Sequence, residues 1–219
     1  MEMKSQKYNF LYALIITILI FNFGIFMGYK LETSRLDKIN DFSLLAEIEL
    51  LDQKVQSDAL SMMDLNCDLL VQENIIFADK IFEDAKKIQN YENANRMNNE
   101  ITILHKKYDL LRALFWMNSL KVQKKCNSDY HNVVYFYDYD APTLDQKSRQ
   151  RFFSNLLGEL KSEEKGKVML IPMAGDLDAG SINLLMDKYG VESLPAILID
   201  EKVVLTDVES LEQIRSYLN

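Results

Sequence analysis

Two cysteines, Cys67 and Cys126, are the only thiols in the chain, and the chemistry open to them is the making and breaking of a disulfide. The same pair can instead be a structural bond, or two unrelated buried thiols. The histidines His105 and His131 have no second ligand at a zinc-binding interval such as H-x-x-x-H, so neither a structural nor a catalytic metal is expected. Asp138 and Asp140 form a carboxylate pair, but acids in a loop between strand and helix more often cap the helix or stay solvated. No Gly-rich phosphate loop occurs and no cofactor is expected. Trp116, inside Leu114-Phe115-Trp116-Met117, reads as helix core and not as a ligand box.

The elements around the cysteines decide whether they meet. Asn66 can cap a helix whose apolar stripe is Leu70, Phe77, Ile81, Ala85 and Ile88, ending near Tyr91. The Asn-rich run 92–99 reads as a turn. A following helix, to about Lys125, puts Ile101, Leu104, Tyr108, Leu111, Phe115 and Val122 on one face and leaves Lys106, Lys107, Arg112, Lys121, Lys124 and Lys125 mainly solvated. Two helices joined by a short link make an antiparallel hairpin over 66–127. The midpoint of the cysteines falls between Arg96 and Met97, inside the turn, so both sulfurs belong at the hairpin's open end, where a bond is geometrically natural. Closing a loop of about 60 residues restricts the unfolded chain by roughly 4 kcal/mol.

Upstream, no charged residue occurs from Tyr8 to Tyr29, and a helix over that stretch is roughly 33 Å long, enough to cross a bilayer core of about 30 Å. Residues 1–30 therefore read as a single-pass transmembrane anchor in contact with membrane lipid through 8–29, with Tyr8, Tyr12 and Tyr29 at its ends. A cleaved signal peptide competes, but the apolar run is longer than a usual h-region and no A-x-A-like site follows. Lys4 and Lys7 on one side nearly balance Lys30, Arg35 and Lys38 on the other. The short leading tail and the cysteine pair together favour placing the rest of the chain outside the cytoplasm. Over 31–65, Leu44, Ile48, Leu51, Val55 and Met62 recur at spacings of three, four and seven, the seam of a coiled-coil stalk. Packing within one chain and homo-oligomerisation both satisfy that pattern.

The last segment, 131–219, alternates strand and helix: Val133–Tyr137, a helix over Leu144–Glu164, Val168–Pro172, a helix over Ser181–Tyr189 stopped by Gly190, a hairpin of Ala196–Asp200 and Lys202–Leu205, and a helix over Val208–Leu218. This β-α-β-α-β-β-α order, with Tyr189-Gly190-Val191-Glu192-Ser193-Leu194-Pro195-Ala196 before its third strand, resembles the thioredoxin-like α/β fold. The resemblance implies a cis bond between Leu194 and Pro195. It also implies a redox Cys-x-x-Cys where this chain has Ala141-Pro142-Thr143-Leu144, so that Ala141 and Leu144 stand at the cysteine positions. Without a thiolate there the domain is expected to be non-enzymatic. Cys126 precedes the first strand and is a poor substitute.

In relatives of this kind the surface beside the motif holds extended peptides, which here implies a groove of Tyr139, Pro142, Thr143, Leu194 and Pro195. The net charge of −8 and pI near 4.9, with no basic stripe, exclude a nucleic-acid partner. The expected protein is a membrane-anchored, non-catalytic thioredoxin-like chain acting in protein recognition or assembly. The alternatives are a thiol oxidoreductase using Cys67 and Cys126, or a purely structural oligomeric stalk.

Overall fold

The computed structural model describes residues 2–94, 99–140 and 142–218. The middle of the expected interhelical turn, with Arg96 and Met97, and the motif residue Ala141 lie outside the described residues. The chain divides into two compact units, Met1–Leu44 and Leu45–Asn219. The described residues of the first lie on helix α1, which runs from Glu2 to Met62. Its segment Phe10–Met62 contains a stretch long and apolar enough to cross a membrane, none of it buried in the protein, with Phe10, Leu19, Phe23 and Phe26 among the exposed side chains.

In the second unit α2 (Cys67–Ala94) and α3 (Asn99–Cys126) precede β1 (His131–Tyr137), α4 (Leu144–Glu163), β2 (Val168–Ala174), α5 (Gly180–Tyr189), β3 (Ala196–Ile199), β4 (Val203–Leu205) and α6 (Leu211–Arg215). Asn66 caps α2, its Oδ1 accepting the N–H groups of Asp68 and Leu69 at 2.8 and 3.2 Å. The final helix is shorter than its apolar pattern implied. Ser210 Oγ accepts the Gln213 N–H and starts α6 at Leu211, leaving Val208 to enter the core from extended chain. The strands order β2-β1-β3-β4, with β1 parallel to β2 and antiparallel to β3, and β3 antiparallel to β4. The β3–β4 turn places Asp200 and Glu201 at φ of 46° and 57°, and Lys202 N–H closes it on the Ile199 carbonyl at 3.0 Å. Two positive φ values give it the primed geometry that suits the strand twist.

Alternation along β1 divides the core. Val133 and Tyr135 pack with Phe153, Leu157 and Leu160 of α4 and Ile214 of α6, whereas Val134 and Phe136 lie in the cluster that holds Ile182 of α5, Ile81 of α2 and Phe115 and Trp116 of α3. Residues 66–127 and 131–219, which read as separate segments in sequence, share one hydrophobic core and form a single unit. Polar groups stitch the layers. Tyr130 Oη donates to the Ser119 carbonyl at 2.7 Å and accepts from Asn74 at 3.1 Å, and Ser119 Oγ donates to Asn132 at 2.7 Å. At the β2 edge Lys161 Nζ of α4 reaches the Val168 carbonyl at 2.8 Å and Asp79 of α2 at 2.7 Å.

Arg112 is not solvated as the sequence implied: it is buried beside Asp109, 2.8 Å away, on the face of α3 that meets the sheet. The seam of α1 does not take the first of the two arrangements open to it, packing within its own chain. Ile48, Leu51, Val55 and Met62 are all exposed, while Ala46, Gln53 and Ser57 are buried toward the hairpin, Asn118 Nδ2 donating to the Gln53 carbonyl at 2.8 Å. The strongest apolar stripe of that helix therefore does not pack on its own chain.

Cys67 and Cys126 are bonded, their Cα atoms 5.4 Å apart and 59 positions apart in sequence. Replacing both with Ala in the full chain frees a long loop in the unfolded state, so the double variant is expected to lose about 2–4 kcal/mol of stability. A thermal melt in detergent checks this, and a Tm equal to that of the parent would contradict it.

Candidate functional site

Because β1 and β2 run parallel and β3 runs against them, one end of the sheet gathers the C-terminal ends of β1 and β2 and the N-terminal end of β3. Phe136 pairs with Ala196, so Leu194 and Pro195 stand beside Tyr137 and the loop that leads to Thr143. The Leu194–Pro195 bond is cis. Tyr139, Pro142, Thr143, Leu194 and Pro195 are thus brought to the same end of the sheet.

Their individual environments differ. Thr143 is the N-cap of α4: its side chain accepts the Gln146 N–H at 3.3 Å, and Gln146 Oε1 accepts the Thr143 N–H at 2.8 Å. This capping box satisfies donors that an N-terminus otherwise leaves open. Leu144, the first helical residue, is 83% exposed. Leu194 is half-buried and leans inward: a Cβ at Gly175 would lie 2.8 Å from its Cδ1 and 3.1 Å from Met186 Sδ. Glycine at 175 is what allows Leu194 to settle that close. Pro195 is buried, and Tyr139 is half-buried with its ring 4.2 Å from that of His105.

Carboxylates hold the loop. Asp176 accepts the backbone N–H groups of Tyr139 and Asp140 at 2.8 and 2.7 Å. Asp138 accepts Gln146 Nε2 at 3.0 Å, and burial, then the neighbouring Asp176, push its carboxyl above the ordinary range. Behind the loop, Tyr137 Oη lies 2.7 Å from His105 Nε2, and His105 lies 3.4 Å from Asp109. Asp109 is fully buried and accepts the Ala174 N–H at 3.3 Å. Burial raises its carboxyl, against the pull of His105 and Arg112. The intervals from His105 to Asp109 to Arg112 put all three on one helix face, and that spacing was the available clue to a buried cluster. Nothing in the sequence pointed to Asp176.

The cysteines are elsewhere. Cys126 lies before β1 and Pro142, Thr143 and Leu144 lie after it, and the seven residues of β1 put about 20 Å between the two ends. A cavity of about 390 Å³ adjoins the disulfide, lined by Val71, Gln72, Ile75 and Ile76. A second, of about 400 Å³, lies near the β3–β4 turn, with His131 Nδ1 2.6 Å from Asp200 Oδ2 on its wall. There Trp116 Nε1–H donates to Glu201, and burial raises that carboxyl from 4.5 to about 7, with Asp200 adding to the rise and Trp116 opposing it. Among the described residues no group of three or more His, Cys, Asp or Glu is placed to hold a metal ion.

The four-stranded mixed sheet, helices on both its faces and a cis-proline opening β3 define a mixed α/β domain. No protein-family model matches the chain, and no curated protein matches it. Among solved structures, thioredoxin O2 from Arabidopsis thaliana in its oxidized state is similar at 17% identity and a TM-score of 0.30, over 43% of this chain and 76% of that one. A likeness of that size says nothing about activity.

Two measurements check these contacts. Asp176→Ala removes two charge-assisted bonds of roughly 1.5–3 kcal/mol each, so hydrogen exchange at Tyr139 and Asp140 should quicken by about tenfold or more while the strands stay protected. For Glu201, the unfolded carboxyl ionises near 4.5 and the folded one near about 7. Unfolding therefore releases a proton in that window, and stability falls as pH rises through it and levels off above. Trp116 emission should titrate with a midpoint near about 7, and both effects should vanish in Glu201→Gln.

Proposed function

We propose that this chain is a membrane-anchored, non-catalytic thioredoxin-like protein that acts in protein recognition or assembly on the extracytoplasmic side. The observation that carries the reading is the state of the motif end of the sheet. The resemblance puts cysteines where the sequence has Ala141 and Leu144, a Thr143 capping box closes the start of α4, and the two cysteines are joined to each other at the opposite end. Thr143 spends its side chain on the helix N-terminus, and the helix begins with an exposed Leu144 instead of a sulfur. The surface left there has an apolar tip at Leu144 and a backbone held in shape by Asp176, which suits holding an extended peptide.

The anchor and the side of the membrane have separate support. The exposed apolar residues of α1 match a bilayer core in length, and a disulfide between Cys67 and Cys126 is stable in an oxidising compartment. A second reading, thiol oxidoreductase chemistry at Cys67 and Cys126, is favoured by one observation, the cavity beside that bond.

The test uses the full chain in detergent micelles. A thioredoxin-type assay with a dithiol donor and a disulfide-bonded protein substrate should give no turnover above the reagent blank, and Cys67→Ala/Cys126→Ala should give the same reading as the parent. Turnover lost in that double variant would establish the oxidoreductase reading instead. Leu144→Lys, at an exposed position, should weaken capture of peptide ligands from an extended-peptide library by about tenfold without moving the Tm.

A further inference from the structure

Helix α1 presents two contrasting faces within the second unit. Toward the hairpin it buries Ala46, Gln53 and Ser57. Contacts along this face include the Asn118–Gln53 bond, Lys121 Nζ donating to Ser57 Oγ at 2.6 Å, and Lys80 paired with Glu49 at 2.6 Å. On the other side Ile48, Leu51, Val55 and Met62 are 54%, 57%, 66% and 75% exposed. A surface helix ordinarily turns its apolar stripe inward. Here the small and polar face is inside and the large apolar side chains are outside.

In a heptad frame that puts Ile48, Val55 and Met62 at a, Leu44 and Leu51 fall at d, and the buried Ala46 and Gln53 fall at f. An f position lies about 160° round the helix from the a/d seam, so packing on the hairpin leaves the seam directed away from it. We infer that the seam is covered by a second copy of this chain, as a parallel, in-register, two-stranded coiled coil. Three observations choose that occupant. The a positions Ile48 and Val55 are β-branched and the d positions 44 and 51 are Leu, the combination that favours parallel dimers, with Asp58 at the d position that follows. The exposed surface of the five seam residues is on the order of 600 Å² per chain, about 1,200 Å² for a pair, at the lower edge of what specific interfaces bury.

The third is confinement, and it rests on the anchor proposed above: two copies in one bilayer have their amino-terminal ends on the same side and a raised local concentration. The parallel register also brings Glu47 at g toward Asp52 at e of the second copy, and Asp58 at d toward its counterpart. These like charges oppose association, and confinement in one bilayer offsets part of their cost. Glu47 lies 3.4 Å from Lys107 of its own chain, which lessens its share of the repulsion.

Cysteine crosslinking in the full chain tests the inference, both in native membranes and in micelles. Ile48→Cys and Val55→Cys, made separately, should each give a disulfide-linked dimer for about half of the chains or more, and Leu144→Cys for less than about a tenth. Only a parallel register brings both homologous pairs together, since an antiparallel one separates at least one of them by a helical turn or more. Adding Leu51→Glu to the Ile48→Cys chain should cut its dimer about tenfold, and because residue 51 is exposed the Tm should not move. Crosslinking at only one seam position, equal crosslinking at Leu144→Cys, or capture of a different protein with no homodimer would overturn the inference. Alkaline carbonate extraction reads the anchor separately. Release from membranes with both seam crosslinks intact in micelles would remove the anchor and keep the dimer, whereas retention without crosslinks would remove the dimer alone.

Discussion

Burial of the second face of the sheet is the constraint on which the rest of this structure depends. Side chains from β1, β2 and β3 are apolar on both faces, and a sheet of that kind must be covered twice. α4 and α6 cover one face. On the other, α5 has ten residues and buries only Ile182 among its own side chains, too little to close the core. The α2–α3 hairpin supplies the missing cover with Ala78, Ile81, Ala113, Phe115 and Trp116. Its attachment is then fixed by groups that tolerate little displacement: the Tyr130, Ser119 and Asn132 hydrogen bonds at one end and the His105, Asp109 and Arg112 cluster at the other. The disulfide closes the open end of the same hairpin.

That arrangement also bears on the loop after β1. In this chain the loop is tied by carboxylates to backbone N–H groups, by a capping box at Thr143 and by aromatic contact with His105 of the hairpin. Each of these fixes conformation, and none supplies a nucleophile. The hairpin therefore bears on the motif end of the sheet as well as on the core, through Tyr137 and Tyr139 above His105 and through Asp109 on the Ala174 N–H.

Local pattern carried much of this. A short run of β-favouring residues, Val133–Tyr137, marked β1, the segment from Tyr189 to Ala196 marked the approach to β3, Gly190 marked the end of α5 with its φ of 68°, and equal distances from the interhelical turn paired the cysteines. What stayed hidden depended on long-range packing. Arg112 looks like its lysine neighbours in sequence, and only its placement opposite β2 and next to Asp109 makes it a buried ion. Gln53 and Ser57 gave no core signal because polar side chains score as wet, whereas their hydrogen bonds to Asn118 and Lys121 draw them inside. Asp176 and Gly175 act on residues far along the chain, at Tyr139, Asp140 and Leu194, and no spacing rule reaches that distance. The capping role of Thr143 was within reach, since Thr143 and Gln146 have the interval of a capping box.

The bridge from Lys161 to Asp79 has a further consequence. It passes the outer margin of β2, joining helices from opposite faces, and the lysine also takes up the Val168 carbonyl. One rim of the sheet is thereby obstructed, and the other rim is β4, only three residues long. Neither offers a long template for strand-by-strand stacking, so copies held close together are guarded against fibril growth, and any lateral association has to proceed through helices.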